Sequence, residues 1–249
     1  MLARRDNLHH PARQEAALMS IDREADATTP DDLAQIEVSH GKDVTVQFEA
    51  GRCIHSRFCV LGQPGVFRAN TPGEWIFPDA ASAEDLALVA QECPSGAITY
   101  TRNDDAPNEP LPQVNVLRVR ENGPLAFVAD LRIEGQSAPR DHQRIRATLC
   151  RCGASQRKPF CDGSHNEAKF VASGEAPSKE SQPLAVRNGV LTVSPQKDGP
   201  LLVEGNLEIC CGTGRTIDRV QKTSLCRCGN SQDKPFCDGT HRKVGFKAD

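Results

Sequence analysis

The chain has 249 residues, enough for one large domain or several small ones. One Trp, one Tyr and 4% aromatic residues, set against 19 Gly and 17 Pro, are a thin stock for a single large apolar core, so small domains are expected. Eleven cysteines could supply cohesion through metals or disulfides, and their odd number excludes complete intramolecular pairing; a net charge of -3 removes any chain-wide case for nucleic-acid binding.

Residues 1–35 read as a flexible tail. Met1 to Pro30 holds no apolar run longer than Ala16-Ala17-Leu18-Met19, so neither an export signal nor a membrane span is expected. Arg4, Arg5, Arg13 and Arg23 are interleaved with Asp6, Glu15, Asp22, Glu24 and Asp26, unlike a transit peptide. The expected location is cytoplasmic, where thiols stay reduced and metal ligation is the first reading of cysteines.

Residues 36–103 form the next expected domain. Val44, Val46 and Phe48 alternate as a strand, and Cys53-Ile54-His55-Ser56-Arg57-Phe58-Cys59 follows. Ala83 to Gln91 reads as a helix starting near Ser82, and Cys93-Pro94-Ser95-Gly96-Ala97-Ile98 leads into a last strand. Ferredoxin loops space ligands as C-x2-C-x2-C with a remote C-P, which here selects positions 53, 56, 59 and 93, with Ser56 in the middle place. The segment resembles the divergent single-cluster ferredoxin domains that carry C-x-H-S-x2-C followed by C-P-S-G-A. That resemblance implies a ferredoxin-like α+β domain in which Cys53, Cys59 and Cys93 bind a cluster. Three thiolates suit [3Fe-4S]; a [4Fe-4S] cluster would need His55, Ser56 or solvent at the fourth iron.

After a linker at 104–112, the chain repeats itself. Gly123-Pro124-Leu125 returns as Gly199-Pro200-Leu201, Leu131 and Ile133 as Leu207 and Ile209, Cys150 as Cys226, His165 as His241 and Phe170 as Phe246, always 76 positions on. Two copies of one unit are therefore expected, at 113–176 and 184–249, joined by a linker at 177–183. Each opens on a β-leaning run (Val114 to Val119; Val190 to Val193) and turns at Asn122-Gly123-Pro124 or Asp198-Gly199-Pro200, so the units should be small and mostly β.

Each copy contains a ligand array, Cys150-x-Cys152 with Cys161 and His165, then Cys226-x-Cys228 with Cys237 and His241. Cysteines two apart can point to one side of an extended segment, and Cys161 and His165 would share a face if a helix followed Pro159. Ser164 and Thr240 carry hydroxyls that could donate to cluster sulfur. On these grounds a Cys3His zinc site and a [2Fe-2S] cluster both stand.

The pattern C-x-C-x2-S-x3-P-x-C-D-G-[ST]-H resembles the signature of CDGSH iron-sulfur domains, the mitoNEET-like group, and both copies fit it throughout. The resemblance implies a [2Fe-2S] cluster in each, with Cys150 and Cys152 on one iron and Cys161 and His165 on the other; the second set is Cys226, Cys228, Cys237 and His241. It also implies that the two units pack as an internal pseudo-dimer within a monomer.

One neutral imidazole in place of a thiolate should raise the potential above that of an all-Cys cluster, and its protonation should make the cluster acid-labile. Lys158 and Lys234 are candidate charges beside the ligands. Cys210 and Cys211 align with Glu134 and Gly135, outside the repeated ligand set. Residues 36–101 are net acidic and Arg140 to Lys158 strongly basic, which suggests that Arg144, Arg146 and Arg157 dock an acidic redox protein or the chain's own ferredoxin-like module. No phosphate loop or Ser-His-Asp set appears, so an enzyme is not favoured. The expected function is one-electron transfer with a redox protein partner. The alternative is cluster storage, sensing or delivery to an apo-acceptor; neither reading involves nucleic acid or a membrane.

Overall fold

A computed structural model describes residues 36–135 and 144–248. The expected tail at 1–35, with His9 and His10, and also His142 and Arg140, lie outside the described residues. No helix among the described residues is long and apolar enough to cross a membrane.

The N-terminal part is a three-stranded antiparallel sheet in the order β1 (Ile36–His40), β2 (Val44–Glu49), β3 (Ile98–Arg102). The alternation read at Val44, Val46 and Phe48 places Val44 and Val46 in the core. Helix α2 (Ala83–Gln91) lies where the sequence predicts it: the Ser82 hydroxyl accepts from the Asp85 amide at 3.1 Å, and Glu84 and Asp85 complement the positive end of the helix. Leu86, Ala87 and Ala90 bury their side chains with Val46, Ile98 and Tyr100. Strand β1 and the short helix α1 (Phe58–Gly62) are additions to the sequence reading.

The repeats share one six-stranded sheet. Its strands are β4 (Val116–Val119), β5 (Leu125–Ile133), β6 (Arg144–Leu149), β7 (Val190–Pro195), β8 (Leu201–Cys210) and β9 (Thr216–Leu225). Within each repeat the first two strands form a hairpin, and Asn122 and Asp198 take the positive φ values of 49° and 52° that its turn requires. Between repeats, β4 runs parallel to β8 and β5 parallel to β7, closing a circuit of four strands. Leu117 pairs with Ile209, and their repeat equivalents, Val193 and Ile133, pair with each other. Contacts are thus exchanged as across a two-fold axis. The core between them is mostly aliphatic, with Leu117, Leu125, Leu149, Leu191, Leu201, Leu207 and Leu225 all buried beside Phe127, Phe160 and Phe236. This explains how a chain poor in aromatics still closes a core: neither repeat alone supplies enough apolar surface, and pooling strands from both does.

The condition for Cys161 and His165 to share a helical face is not met: the chain turns after Pro159, and in the second repeat Thr240–Lys243 forms a short helix, α3. Gly163 and Gly239 sit at φ 91° and 85°, left-handed values that interrupt any helix running from Cys161 or Cys237.

Candidate metal centres

In each repeat the two halves of the ligand array meet across a small antiparallel bridge. Leu149 pairs with Phe160, the Cys150 amide donates to the Pro159 carbonyl at 2.8 Å, and the Cys161 amide donates to Thr148 at 2.9 Å. The second repeat reproduces this with Leu225–Phe236, Cys226 to Pro235 at 2.8 Å and Cys237 to Ser224 at 2.9 Å. The ligands then fall into pairs. Cys150 and Cys152 Sγ are 3.7 Å apart, Cys226 and Cys228 Sγ 3.8 Å, and the Cys161–His165 and Cys237–His241 Sγ–Nδ1 distances are both 3.4 Å.

These separations fit a metal shared by each pair. Bonds of about 2.3 Å to sulfur and about 2.0 Å to nitrogen at a tetrahedral ion leave two sulfurs about 3.8 Å apart and a sulfur–nitrogen pair about 3.5 Å apart. Among the described residues, no three Cys, His, Asp or Glu side chains gather closely enough to hold a single ion.

The loop between the pairs is built by Ser and Asp. Ser155 Oγ donates to the Phe160 carbonyl at 2.6 Å and accepts from the Arg157 amide at 3.0 Å; Ser231 does the same at 2.7 and 3.0 Å. Asp162 accepts from the Gln156 and Ser164 amides, and these bonds hold its carboxyl below the usual range although burial opposes them. The Ser164 hydroxyl, expected to face sulfur, instead donates to Asp162 at 2.7 Å, and Thr240 likewise bonds Asp238. Donors to sulfur are backbone amides: Ala154 to Cys152 at 3.4 Å, Asn230 to Cys228 at 3.5 Å and Gly239 to Cys237 at 3.4 Å. They favour thiolates.

The thiols in the first array are far from equivalent. A hydrogen bond from Cys150 lowers the Cys152 thiol, and Cys150 is correspondingly raised. Burial pushes Cys161 up to about 11 and holds His165 below the ordinary imidazole value. Metal binding here must therefore displace thiol protons, while His165 is already inclined to be neutral.

Arg151 and Arg227, inside the C-x-C pairs, escaped the sequence reading. Both are almost wholly buried. Arg151 donates to the carbonyls of Gly123, Ser173, Arg120 and Ala172 and lies 5.3 Å from the Phe170 ring; burial lowers its pKa to about 10, against the pull of Cys226 in the other repeat. Arg227 bonds Gly199 and Gln196 and stacks on Phe246 at 5.5 Å. The signal was present, since Arg and Phe recur at the offset of 76. Lys158 and Lys234 donate to the carbonyls of Ser155 and Ser231, both at 2.5 Å. Cys210 and Cys211 are buried at the end of β8, and Cys211 Sγ lies 3.0 Å from Thr213 Oγ1.

The N-terminal part gathers Cys53, Cys59 and Cys93. Cys53 follows a single 3-10 turn (Ala50–Arg52), Cys59 lies in the first turn of α1, and Cys93 lies buried just beyond α2. Burial raises Cys53 and Cys59; the charges of Cys93 and Cys59 raise Cys53 further, and that of Cys93 raises Cys59. The loop between them is tight, with His55 and Arg57 at φ 53° and 66°. This turns His55 back on Cys53: its amide donates to Cys53 Sγ at 3.4 Å, and its Nδ1 is 4.0 Å from the same sulfur. Ser56 is exposed.

This arrangement is that of an iron-sulfur protein. Two segments, 118–166 and 198–242, match the family model "Iron-binding zinc finger CDGSH type", and residues 39–103 match "Divergent 4Fe-4S mono-cluster". The chain is also similar to the uncharacterized protein YjdI of Escherichia coli K12 and of Escherichia coli O157:H7, each 35% identical over 60 residues, covering 24% of this chain and 78% of the relative. No solved structure matches. The chain belongs to the tandem CDGSH iron-sulfur proteins and carries a divergent 4Fe-4S mono-cluster domain at its N-terminus.

Proposed function

We propose that the chain is a one-electron carrier with two [2Fe-2S] clusters and one [4Fe-4S] cluster. Cys150, Cys152, Cys161 and His165 hold the first, and Cys226, Cys228, Cys237 and His241 the second. Cys53, Cys59 and Cys93 hold the third, with His55 as the candidate fourth ligand. The observation that carries this reading is the division of each CDGSH array into two pairs at single-metal spacing. When bound, each cluster supplies a one-electron couple whose potential follows from ligand charge, hydrogen bonds and exposure. The chain's own part is to hold thiolates and imidazole in place, to aim the amides of Ala154, Asn230 and Gly239 at sulfur, and to exclude water with the aliphatic core. In this reading the N-terminal domain is ferredoxin-like, and the exchanged strand pairs make the repeats an internal pseudo-dimer in a monomeric chain working where thiols stay reduced.

The test is iron and sulfide analysis with EPR on anaerobically purified protein. About eight irons are expected, and about seven, with an oxidised [3Fe-4S] signal, would revise the N-terminal centre. Bound zinc would overturn the reading. Mixing with an apo-ferredoxin separates the two roles: reversible reduction with retained iron supports a carrier, and passage of intact clusters supports delivery.

A further inference from the structure

The N-terminal centre and the first CDGSH centre meet through a buried contact. Arg52 is peptide-bonded to Cys53, is 6% exposed, and donates to the carbonyls of Ser95, at 2.7 Å, and Arg146. Its guanidinium lies 5.5 Å from the ring centroid of Phe160, which is peptide-bonded to Cys161. Arg146 reciprocates by donating Nε to the Cys93 carbonyl at 2.9 Å, and Arg157 donates to the Gly51 carbonyl at 3.1 Å. The two backbones nearly touch at Gly96, where a Cβ would lie 2.7 Å from the Arg146 carbonyl oxygen. The basic stretch of the first repeat is thus taken up, through Arg146 and Arg157, by the chain's own N-terminal part.

The second repeat has the same face with a different occupant. Phe236, the equivalent of Phe160, is covered by Lys179, whose Nζ is 3.4 Å from the ring centroid. Asp233 stands where the first repeat has Arg157, and it lies 3.9 Å from the same Nζ. The inter-repeat segment is pinned there by Ser178 Oγ to Thr216 at 2.8 Å and by the Lys179 amide to Ile217 at 2.7 Å.

We propose that Arg52 and Phe160 form the electron route between the N-terminal centre and the first CDGSH centre, while Lys179 closes the equivalent entry to the second. The second centre is then reached through the first, across the backbone bridge between Cys152 and Cys228. The step is a single-electron exchange: the donor centre is oxidised by one electron, the acceptor reduced by one, with no bond broken and no proton moved. Tunnelling rates fall steeply with distance, so two ligand residues joined by the touching side chains of their neighbours favour this pair. The inference rests on the carrier reading.

The test uses full-length, iron-loaded protein in a His241→Cys background, which replaces a nitrogen ligand with sulfur and so distinguishes the second centre's EPR spectrum. One electron per chain is delivered by dithionite, and its distribution is followed by freeze-quench EPR. Phe160→Leu, which keeps apolar bulk but removes the ring, is expected to slow exchange between the N-terminal and first centres by about tenfold or more. Rates are compared only where iron content and midpoint potentials match the parent's, so that slowing reports the loss of the ring and not damage to the centre. Phe236→Leu should leave that exchange within about twofold. Arg52→Lys repeats the test without altering the CDGSH loop, should Phe160→Leu lose iron. Unaltered exchange in both Phe160→Leu and Arg52→Lys overturns the route, as does equal slowing in Phe236→Leu. If no centre accepts an electron reversibly, the carrier reading itself fails, and this is seen in the unmodified protein.

Discussion

Cys152 and Cys228, the second cysteines of the two CDGSH motifs, face each other across an antiparallel bridge. The residue after each is a glycine with positive φ, 83° at Gly153 and 81° at Gly229. A Cβ on Gly153 would lie 2.7 Å from the Cys228 carbonyl oxygen, and one on Gly229 would strike that of Cys152. Each repeat therefore limits the space around the other's ligand.

Gly153→Ala and Gly229→Ala should each cost at least about 1–3 kcal/mol from backbone strain alone, with the clash added. Thermal unfolding should fall by roughly 3–10 °C. Iron should leave the opposite repeat's centre first, which site-resolved EPR would detect. Gly163→Ala provides the control: its φ is 91°, but nothing lies within 4 Å of the added Cβ, so it should show strain without the cross-repeat effect.

Arg146 is the hinge of the interdomain contact. It is buried, bonds the Cys93 carbonyl and pairs with Glu109, whose side chain is itself 15% exposed. Arg146→Met leaves that carboxylate unpaired and should cost about 3–5 kcal/mol in urea unfolding. Adding Glu109→Leu should restore much of the loss. Because Glu109 lies in the segment 104–112, protease cleavage there should accelerate in the single variant and slow again in the double.

The repeat offset singled out the matching Cys and His positions of the two CDGSH motifs, since a fixed shift between Cys150 and Cys226 or His165 and His241 survives any error in local structure. Helix α2 was legible because Ser82, Glu84 and Asp85 mark its start and the apolar spacing marks its face. The exchange of strands between repeats was not legible, because Leu117 and Ile209 are simply apolar and their pairing is set by long-range closure of the core. Nor were the roles of Arg52 and Arg151, charged residues that sequence reasoning places on the surface; only the fold shows the backbone carbonyls that compensate their burial. A helix running from Cys161 to His165 is prevented locally by the left-handed glycine of the D-G-[ST] turn.

The carboxylate of Glu208 accepts from Arg187 Nε at 2.7 Å and Nη2 at 3.1 Å, with Arg219 nearby at 3.8 Å. The Arg187 bonds, opposed by burial, hold its carboxyl below its ordinary value of 4.5. A depressed carboxylate contributes stability above its unfolded value and loses it as pH falls through the folded one. Glu208→Gln should therefore have a lower urea midpoint than the parent at pH 7, with the gap closing progressively below 4.5. Comparing the two proteins at each pH cancels losses common to both, including any release of iron. A gap that persists unchanged into acid would show that the side chain contributes by shape rather than charge.

In the proposed four-iron cluster, three thiolates leave one iron without a protein sulfur, and His55 is the candidate for that place. The bond from its amide to Cys53 Sγ at 3.4 Å fixes the loop that carries it. Ser56, which occupies the position of the missing cysteine, is exposed. His55→Ala should convert the anaerobic N-terminal centre to [3Fe-4S], visible as an oxidised S = 1/2 signal, with the loss of about one iron per chain. Ser56→Ala should leave spectrum and iron content unchanged. The opposite pattern would assign the fourth iron to the serine, and a [3Fe-4S] signal already present in the unmodified protein would remove His55 from the ligand set.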